Sequence, residues 1–328
     1  MLARIRRFLP DSFVLTLLTT VVVASLLPAH GRAMDVIGAV STGAIALLFF
    51  MHGVRLSREA VIEGMRRWHL QLAIFAFTYC AIPLLGVGVA TLTGGIVGPG
   101  LALGIIYLCS MPTTVQASIA SASIARGNVA ASVIASAVSN ISGVVLAPLL
   151  VALLASAHGG DAGIGGIGRI MLILLLPFVL GQFARRWLLP WAERNRGLMS
   201  MMDKLTIVLA VYVAFSEAAT GGIWHRISGE ELALLFAIVL GILILTFSGA
   251  WLLGGLMKLD RADRATMLFS ASHKSLATGA PMARILFPGA GAGAILLPLL
   301  IYHQLQLMLS AILASRMARR LEESTAAE

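Results

Sequence analysis

A polar cluster interrupts an apolar segment in the C-terminal part of the chain. Residues 270–281 read SASHKSLATGAP, and apolar residues precede and follow them. His273, Lys274 and Ser275 are the side chains that could bind an ion, move a proton or act as a nucleophile. A lysine inside a bilayer costs about 2.5–3.5 kcal/mol even on the mildest scale, so it needs a partner or a water-filled cavity. The cluster predicts a binding site; a Lys274 that only pairs internally or reaches the interface is the structural alternative.

A second polar cluster, MPTTVQAS at residues 111–118, lies in another apolar segment. Pro112 has no N–H and bends a helix, and hydroxyl residues after a break can cap the helix that follows. We therefore expect one helix break at Pro112 and another at residues 272–275. The residues expected to cap or break these helices are Thr113 and Thr114 in one cluster and Ser275, Thr278, Gly279 and Pro281 in the other.

Two more segments carry polar side chains on one helical face. In the segment 128–156 they follow in steps of four, three and one, at Ser132, Ser136, Ser139 and Asn140. Near the C-terminus, YHQLQ places two of them three residues apart, His303 and Gln306. Such spacing keeps side chains on a common face, which favours a shared site. Close packing of small polar residues and an internally hydrogen-bonded histidine are the alternatives.

The composition indicates a protein that crosses a lipid bilayer many times as helices. Of its 328 residues, 59% are hydrophobic and only 12% charged, with a mean hydropathy of +0.93. Soluble domains average about 25% charged residues. Apolar windows of about 20 residues recur along the chain, and their continuity excludes a transmembrane barrel. The net charge of +9 then reports orientation in the membrane, and no nucleic-acid partner is predicted.

Ten spans are expected. They are residues 11–28, 34–52, 69–92, 100–125, 128–155, 167–189, 203–219, 230–256, 264–287 and 293–316. With the N-terminus in the cytoplasm, 19 of the 24 lysines and arginines lie on the cytoplasmic side, as the positive-inside rule requires. The sequence predicts an integral plasma (inner) membrane protein with both termini cytoplasmic. Glu217, near the outer end of the seventh span, is expected to be solvated.

The two polar clusters occupy matching places in two halves of the chain. Each lies in the fourth span of its half, and five spans per half require the second half to be inverted. We expect one transporter domain over 1–328, with a first repeat at 1–156, an inverted repeat at 165–317 and a cytoplasmic tail at 318–328. Interrupted helices at matching positions of inverted repeats indicate a transporter's binding site. Their positive N-termini, together with Lys274, favour an organic anion as substrate.

Four stretches resemble the bile acid:sodium symporter superfamily. They are FFMHGVRLS (49–57), MPTTVQASIASASIARGNVAASVIASAVSN (111–140), SASHKSLATGAPMA (270–283) and PLLIYHQLQL (298–307). They are most similar to the branch around member seven of solute carrier family ten and its bacterial relatives. The resemblance implies ten helices in two inverted five-helix repeats, with broken spans four and nine crossing at the membrane midplane. It also implies that spans one, two, six and seven form a panel that moves against the other six.

The resemblance further implies bound sodium. Two sodium ions bind around the crossing in the bile-acid-type members, and the positions that match their ligands are Gln116, Ser118, Ser132 and Ser136. The acidic residue that bridges both sodium sites has no counterpart here, since Phe269 or Ser270 stands at its place. Lys274 lies nearby, and a fixed ammonium could neutralise the same carbonyl groups without an ion. Sodium as a coupling ion is therefore left open, and no other cofactor is expected.

The predicted function is secondary active transport of a small organic anion by alternating access, not enzymatic catalysis. The predicted substrate- and ion-binding residues are Thr113, Thr114, Gln116, Ser118, Ser132, Ser136, Asn140, His273, Lys274, Ser275, Thr278, His303 and Gln306. A channel, or a regulator of ion flux without substrate turnover, is the alternative. An intramembrane hydrolase using Ser275 and Lys274 is disfavoured, because adjacent helical residues do not face each other. The sequence also lacks Ser-x-x-Lys and Gly-x-Ser-x-Gly motifs.

Overall fold

The computed structural model describes residues 12–55, 67–156, 171–222, 227–289 and 291–327. Within these ranges every regular element is helical. The N-terminal residues before 12, most of the predicted loop 53–68 and the start of the predicted second repeat at 165 lie outside the described residues.

Twelve helices can be numbered along the described ranges. They are α1 (Ser12–Leu26), α2 (Gly31–Arg55), α3 (Trp68–Thr93), α4 (Pro99–Ser110), α5 (Val115–Ile124), α6 (Val129–Ser156), α7 (Leu176–Arg194), α8 (Arg196–Thr220), α9 (Gly229–Leu256), α10 (Arg261–Ser272), α11 (Leu276–Leu286) and α12 (Gly291–Ala327). A π-helical turn, Phe77–Ala81, lies inside α3, and another, Met171–Leu175, precedes α7.

Helix length and composition confirm a polytopic membrane protein. Seven of the described helices are long and apolar enough to cross a membrane, and α4 with α5 makes an eighth span if the bent pair is counted as one. Helix α1 has only 15 residues. Helix α10 contains Arg261 and Asp263, and Lys274 lies between α10 and α11. Length and composition therefore do not by themselves establish the predicted ten spans.

Both predicted helix breaks are confirmed. Helix α4 ends at Ser110 and α5 begins at Val115, with a bend of 59° between them. We call residues 111–114 the first break. Helix α10 ends at Ser272 and α11 begins at Leu276, and residues 273–275 are the second break. The backbone is extended at both breaks, with ψ of 149° at Met111 and 147° at His273.

The closest packing divides the helices into two groups. Helices α1, α2, α7 and α8 pack mainly on one another and form the panel group, while α3–α6 and α9–α12 form the core group. Backbones touch within the panel group, since a Cβ at Gly53 would lie 2.1 Å from the Phe178 carbonyl oxygen. Helix α8 makes the main contacts between the groups, on α11 and α12. Helix α12 continues to Ala327, so the segment predicted as a tail is helical.

Candidate functional site

The two breaks are bonded directly to each other. The N–H of Ser275 donates to the carbonyl oxygen of Pro112 at 2.7 Å. The hydroxyl of Thr114 donates to the carbonyl oxygen of Lys274, also at 2.7 Å. Backbone groups that leave a helix inside a membrane must find other partners. Each break here supplies a hydrogen-bond donor to a carbonyl group of the other break.

The ammonium of Lys274 is enclosed by backbone carbonyl groups. Its Nζ donates to the carbonyl oxygens of Met111 at 2.8 Å, Cys109 at 2.9 Å and Thr78 at 3.3 Å. We call these three oxygens the carbonyl cage. The Lys274 side chain is fully buried. An ammonium has three N–H donors, so the cage uses all of them and leaves none for a substrate in this conformation.

Local backbone structure explains why the cage oxygens are free. In an α-helix the oxygen of Thr78 would accept from the N–H of Ile82, but in the π-helical turn Ile82 donates to Phe77. The next residue is Pro83, which has no N–H to donate. Cys109 lies in the last turn of α4 and Met111 just beyond it, where carbonyl groups have no intrahelical partner. The negative end of the α4 dipole also favours a cation there.

Side chains of α12 satisfy the second break. Gln306 accepts from the N–H of Lys274 at 2.8 Å through Oε1 and donates to the carbonyl oxygen of Lys274 at 2.9 Å through Nε2. The same Nε2 lies 2.8 Å from Nδ1 of His303. The hydroxyl of Tyr302 donates to the carbonyl oxygen of Ser272 at 2.7 Å. Gln306 thus replaces both backbone partners that Lys274 would have inside a helix.

Helix α6 holds the first break through its polar face. Asn140 donates to the carbonyl oxygen of Thr113 at 2.9 Å, and the N–H of Thr113 donates to the hydroxyl of Ser139 at 3.1 Å. Tyr79 reaches the same point from α3, where its hydroxyl donates to the carbonyl oxygen of Ser139 at 2.5 Å. Thr278 of α11 donates to Oδ1 of Asn140 at 3.2 Å. Ser139 and Asn140 are therefore partners of the first break.

Capping differs from expectation at the first break. Ser275 caps α11 as predicted, because its hydroxyl accepts from the N–H of Thr278 at 3.2 Å. The prediction that Thr113 and Thr114 cap α5 is wrong. Thr114 occupies the N-cap position without a side-chain cap, since its hydroxyl bonds to Lys274 instead. The hydroxyl of Thr113 is buried and, among the described residues, has no hydrogen-bond partner.

The residues predicted to bind sodium do not form one ligand set. The hydroxyls of Ser118 and Ser136 lie 2.8 Å apart, and Ser132 pairs with Ser270 at 3.0 Å. Gln116 is exposed on α5, apart from these buried hydroxyls. Hydroxyl and amide oxygens suit a hard cation, but the hydroxyls already bond in pairs. In this arrangement the residues do not fit a sodium ion, and sodium binding stays a prediction.

His273 belongs to a different environment from Lys274. Its Nε2 lies 2.7 Å from the hydroxyl of Ser310 on α12, and the ring packs beside Phe247 and Phe269. The partners of its ring are therefore other groups than the three cage oxygens. Ser275 and Lys274 also have different partners, because the Ser275 hydroxyl bonds to Thr278 whereas the Lys274 ammonium bonds to the cage.

Glu217 is bound rather than solvated. Its Oε1 lies 3.0 Å from Nη2 of Arg284, and its Oε2 accepts from the N–H of Gly289 at 3.1 Å. Both charged side chains are mostly buried, with 17% and 13% of their surface exposed. The expectation was wrong because α8 packs on α11 at this height, so the pair joins the panel group to the core group.

Sequence reasoning missed the groups that make most of these bonds. Thr78, Cys109 and Met111 act through backbone oxygens, which carry no residue-type signal. Tyr79 and Tyr302 lie inside apolar spans and are typical of packing residues. The only available signal was Pro83, whose missing N–H leaves a carbonyl group without a partner one turn earlier in α3.

Comparison with known proteins agrees with the resemblance. Residues 11–319 match the SBF-like CPA transporter family. YfeH of Escherichia coli K12, named as a candidate symporter, is 44% identical over 313 residues, which cover 95% of this chain and 94% of YfeH. An uncharacterized protein of Pseudomonas aeruginosa, PA2026, is 45% identical over 323 residues, or 98% of this chain and 97% of that protein. Sodium/bile acid cotransporter 7 of Rattus norvegicus is 27% identical over 279 residues, which cover 84% of this chain and 82% of that protein.

The matched residues span α1 to α11 and α12 as far as residue 319, including both breaks and their partners on α6 and α12. Similarity to sodium/bile acid cotransporter 7 confirms the resemblance to the bile acid:sodium symporter superfamily and its branch around member seven. The chain therefore belongs to the SBF-like CPA transporter family.

Proposed function

We propose that the protein is a secondary active transporter that carries a small organic anion across the inner membrane by alternating access. The observation that carries this proposal is the direct bonding of two helix breaks, with two hydrogen bonds of 2.7 Å between them. Interrupted helices are tolerated in membranes where they are buried in protein or line a cavity. Ten spans in two inverted five-helix repeats, crossing at the midplane, are part of the proposal.

The start of α5 supports an anionic substrate. The first N–H groups of a helix have no intrahelical partner and carry about half a positive charge. No side chain caps α5, and Val115 and Gln116 in its first turn are exposed. A carboxylate or sulfate group could therefore bind these N–H groups. Lys274 adds positive charge near the crossing without bonding to the substrate directly.

Unequal covering of the two half-helices supports alternating access. Helix α11 is mostly buried, and α8 of the panel group packs on it. Helix α5 has five exposed residues along its length, which are Val115, Gln116, Ala120, Ser123 and Ile124. With the orientation expected from the positive-inside rule, α5 leads to the cytoplasm. We interpret the structure as an inward-facing state, in which the Glu217–Arg284 pair closes the outer side.

Counterflow in proteoliposomes tests the proposal. Purified protein is reconstituted into liposomes that contain an unlabelled bile acid, dicarboxylate or sulfate ester. Uptake of the labelled form of the same compound from outside is then measured. A transporter accelerates exchange above that of protein-free liposomes, with saturation. Flux that does not respond to substrate on the opposite side would support a channel instead. Repeating the assay with sodium replaced by choline tests whether sodium, named in the cotransporter relatives, is a coupling ion here.

Labelling from outside the cell tests the proposed orientation. Arg194 is exposed at the end of α7, and Glu230 is exposed at the start of α9. In a chain without its two native cysteines, we expect an impermeant thiol reagent to label Glu230→Cys and to spare Arg194→Cys. Labelling of Arg194→Cys in intact cells would contradict cytoplasmic placement of the 185–202 loop and of both termini.

A further inference from the structure

The carbonyl cage has the ligand chemistry of a monovalent-cation site. Three backbone oxygens from two helices surround one point at 2.8, 2.9 and 3.3 Å. Backbone carbonyl groups arranged around a point are how proteins replace the hydration shell of a monovalent cation. All three oxygens lack a helical partner for the backbone reasons given above. They would need a hydrogen-bond donor or a cation even if residue 274 were not a lysine.

The occupant is tied to the other break through its own backbone. Gln306 holds both the N–H and the carbonyl oxygen of Lys274, and Thr114 donates to the same oxygen. Lys274 therefore reaches from the second break into the cage beside the first break. Its side chain is fully buried, so bulk solvent does not reach it.

Carbonyl dipoles, rather than a carboxylate, balance the charge. None of the ion pairs formed by the described residues includes Lys274. The C-terminal end of α4, which contributes Cys109 and precedes Met111, carries about half a negative charge. A site with this balance binds a singly charged cation and does not require a particular metal.

We propose that the cage is a cation site that the Lys274 ammonium occupies permanently, and that shortening this side chain lets a small free cation from solution take its place. Building on the transporter function proposed above, the crossing then carries its own cation. No dissolved cation has to bind in the cage during transport. This holds whether or not sodium binds at Ser118, Ser132 and Ser136.

Cation rescue of Lys274→Ala tests the proposal without measuring transport. The substitution removes Nζ, Cε, Cδ and Cγ, which together have the structure of n-propylammonium. The melting temperature of the purified variant is measured in n-propylammonium, sodium, choline and neutral propanol at equal concentration and ionic strength. We expect Lys274→Ala to melt below the wild type in choline and to gain about 3 °C in n-propylammonium, the size expected for a ligand well above its Kd. Choline and propanol should have no effect, and a gain in sodium would show that the opened cage also takes an alkali cation.

Lys274→Met is the matched control, because it removes the charge but fills the space of the stem. It should not respond to n-propylammonium. Equal stabilisation of both variants would overturn the proposal, as would a Lys274→Ala variant that equals the wild type in choline and ignores every cation.

If Lys274→Ala yields no monodisperse protein in choline, the same comparison is made during solubilisation. Recovery only in n-propylammonium supports the cage. Failure in both solutions, with Lys274→Met well folded, overturns it. Since neither readout involves turnover, rescue without wild-type counterflow would refute transport alone, and counterflow without rescue would refute the cage alone.

Discussion

The two helix breaks satisfy their backbone groups in different ways. Around the first break, the free oxygens of Cys109 and Met111 accept from a lysine ammonium, and α5 begins uncapped and exposed. At the second break, neutral side chains of α12 form hydrogen bonds with the backbone of residues 272 and 274, and Ser275 caps the buried helix α11. Amide and hydroxyl groups stabilise both breaks, and the first break is stabilised in addition by a charge.

This difference is the basis for our proposal that the first break receives the ligand. The N-terminus of α11 is capped by Ser275 and buried, so its N–H groups are not available. The N-terminus of α5 has the same dipole but no side-chain cap, and its first two residues are exposed. In our proposal, the second break positions Lys274 and the first break binds the anion. The following predictions test that assignment, from the largest expected effect to the smallest.

Lys274→Met should abolish counterflow and lower stability. The sequence alone predicts that the melting temperature holds or rises, because a buried ammonium no longer has to be desolvated. The cage reverses the expected sign, since three buried carbonyl groups lose their donors at about 1–3 kcal/mol each, partly offset by that relief. We expect a net loss of about 3 kcal/mol. Thermal unfolding together with counterflow measures both effects, and wild-type values in both would show that Lys274 has no role in either break.

Gln306→Ala should lower stability by about 2–3 kcal/mol, because it removes the partners of a buried N–H and a buried carbonyl group at once. Gln304 is the matched control on the same helix, as its Nε2 is buried without a hydrogen-bond partner among the described residues. Gln304→Ala should therefore change stability little. Equal losses for the two variants would mean that the second break does not depend on the Gln306 amide.

Glu217→Gln should loosen the contact between α8 and α11, because it leaves the Arg284 charge mostly buried without its counterion. A cysteine placed at the half-buried Ala277 should then react faster with a thiol reagent than in the parent, in a chain without native cysteines. Asp203→Asn is the control, since Asp203 pairs with Arg55 inside the panel group at 3.0 Å. Acceleration by both variants would argue against a gate at the Glu217–Arg284 pair.

The two threonines of the first break should respond differently to loss of the hydroxyl. Thr114→Val removes a donor to the Lys274 oxygen and should cost about 1 kcal/mol. Thr113→Val replaces a buried hydroxyl without a partner in the described part of the chain, so stability should hold or rise slightly. Chemical denaturation of the two variants under the same conditions measures both free energies of unfolding. A larger loss for Thr113→Val than for Thr114→Val would contradict the bonding described for Thr114.

Much of the site was predictable because every backbone polar group inside a membrane needs a partner within the protein, so residues that interrupt a helix there are conspicuous in the sequence. Pro112 and the serines, threonine and glycine after residue 270 indicated two breaks, and both are present where expected. The structure brings together Thr113, Thr114, Asn140, Lys274, Ser275, Thr278, His303 and Gln306 around the breaks. Ser132 pairs with Ser270 and Ser118 with Ser136, while Gln116 stands apart.

The sequence by itself determined a helical membrane protein and the places where two helices stop, since hydrocarbon leaves the backbone few other choices. Only the tertiary structure decided what binds the Lys274 ammonium, because its partners are backbone oxygens freed by a π-helical turn in α3 and by the end of α4. It also decided that Glu217 is paired and that α8 packs on α11, whereas α5 keeps several exposed residues. These outcomes depend on which helices pack together, and residues about 165 and 196 positions apart along the chain meet in the cage.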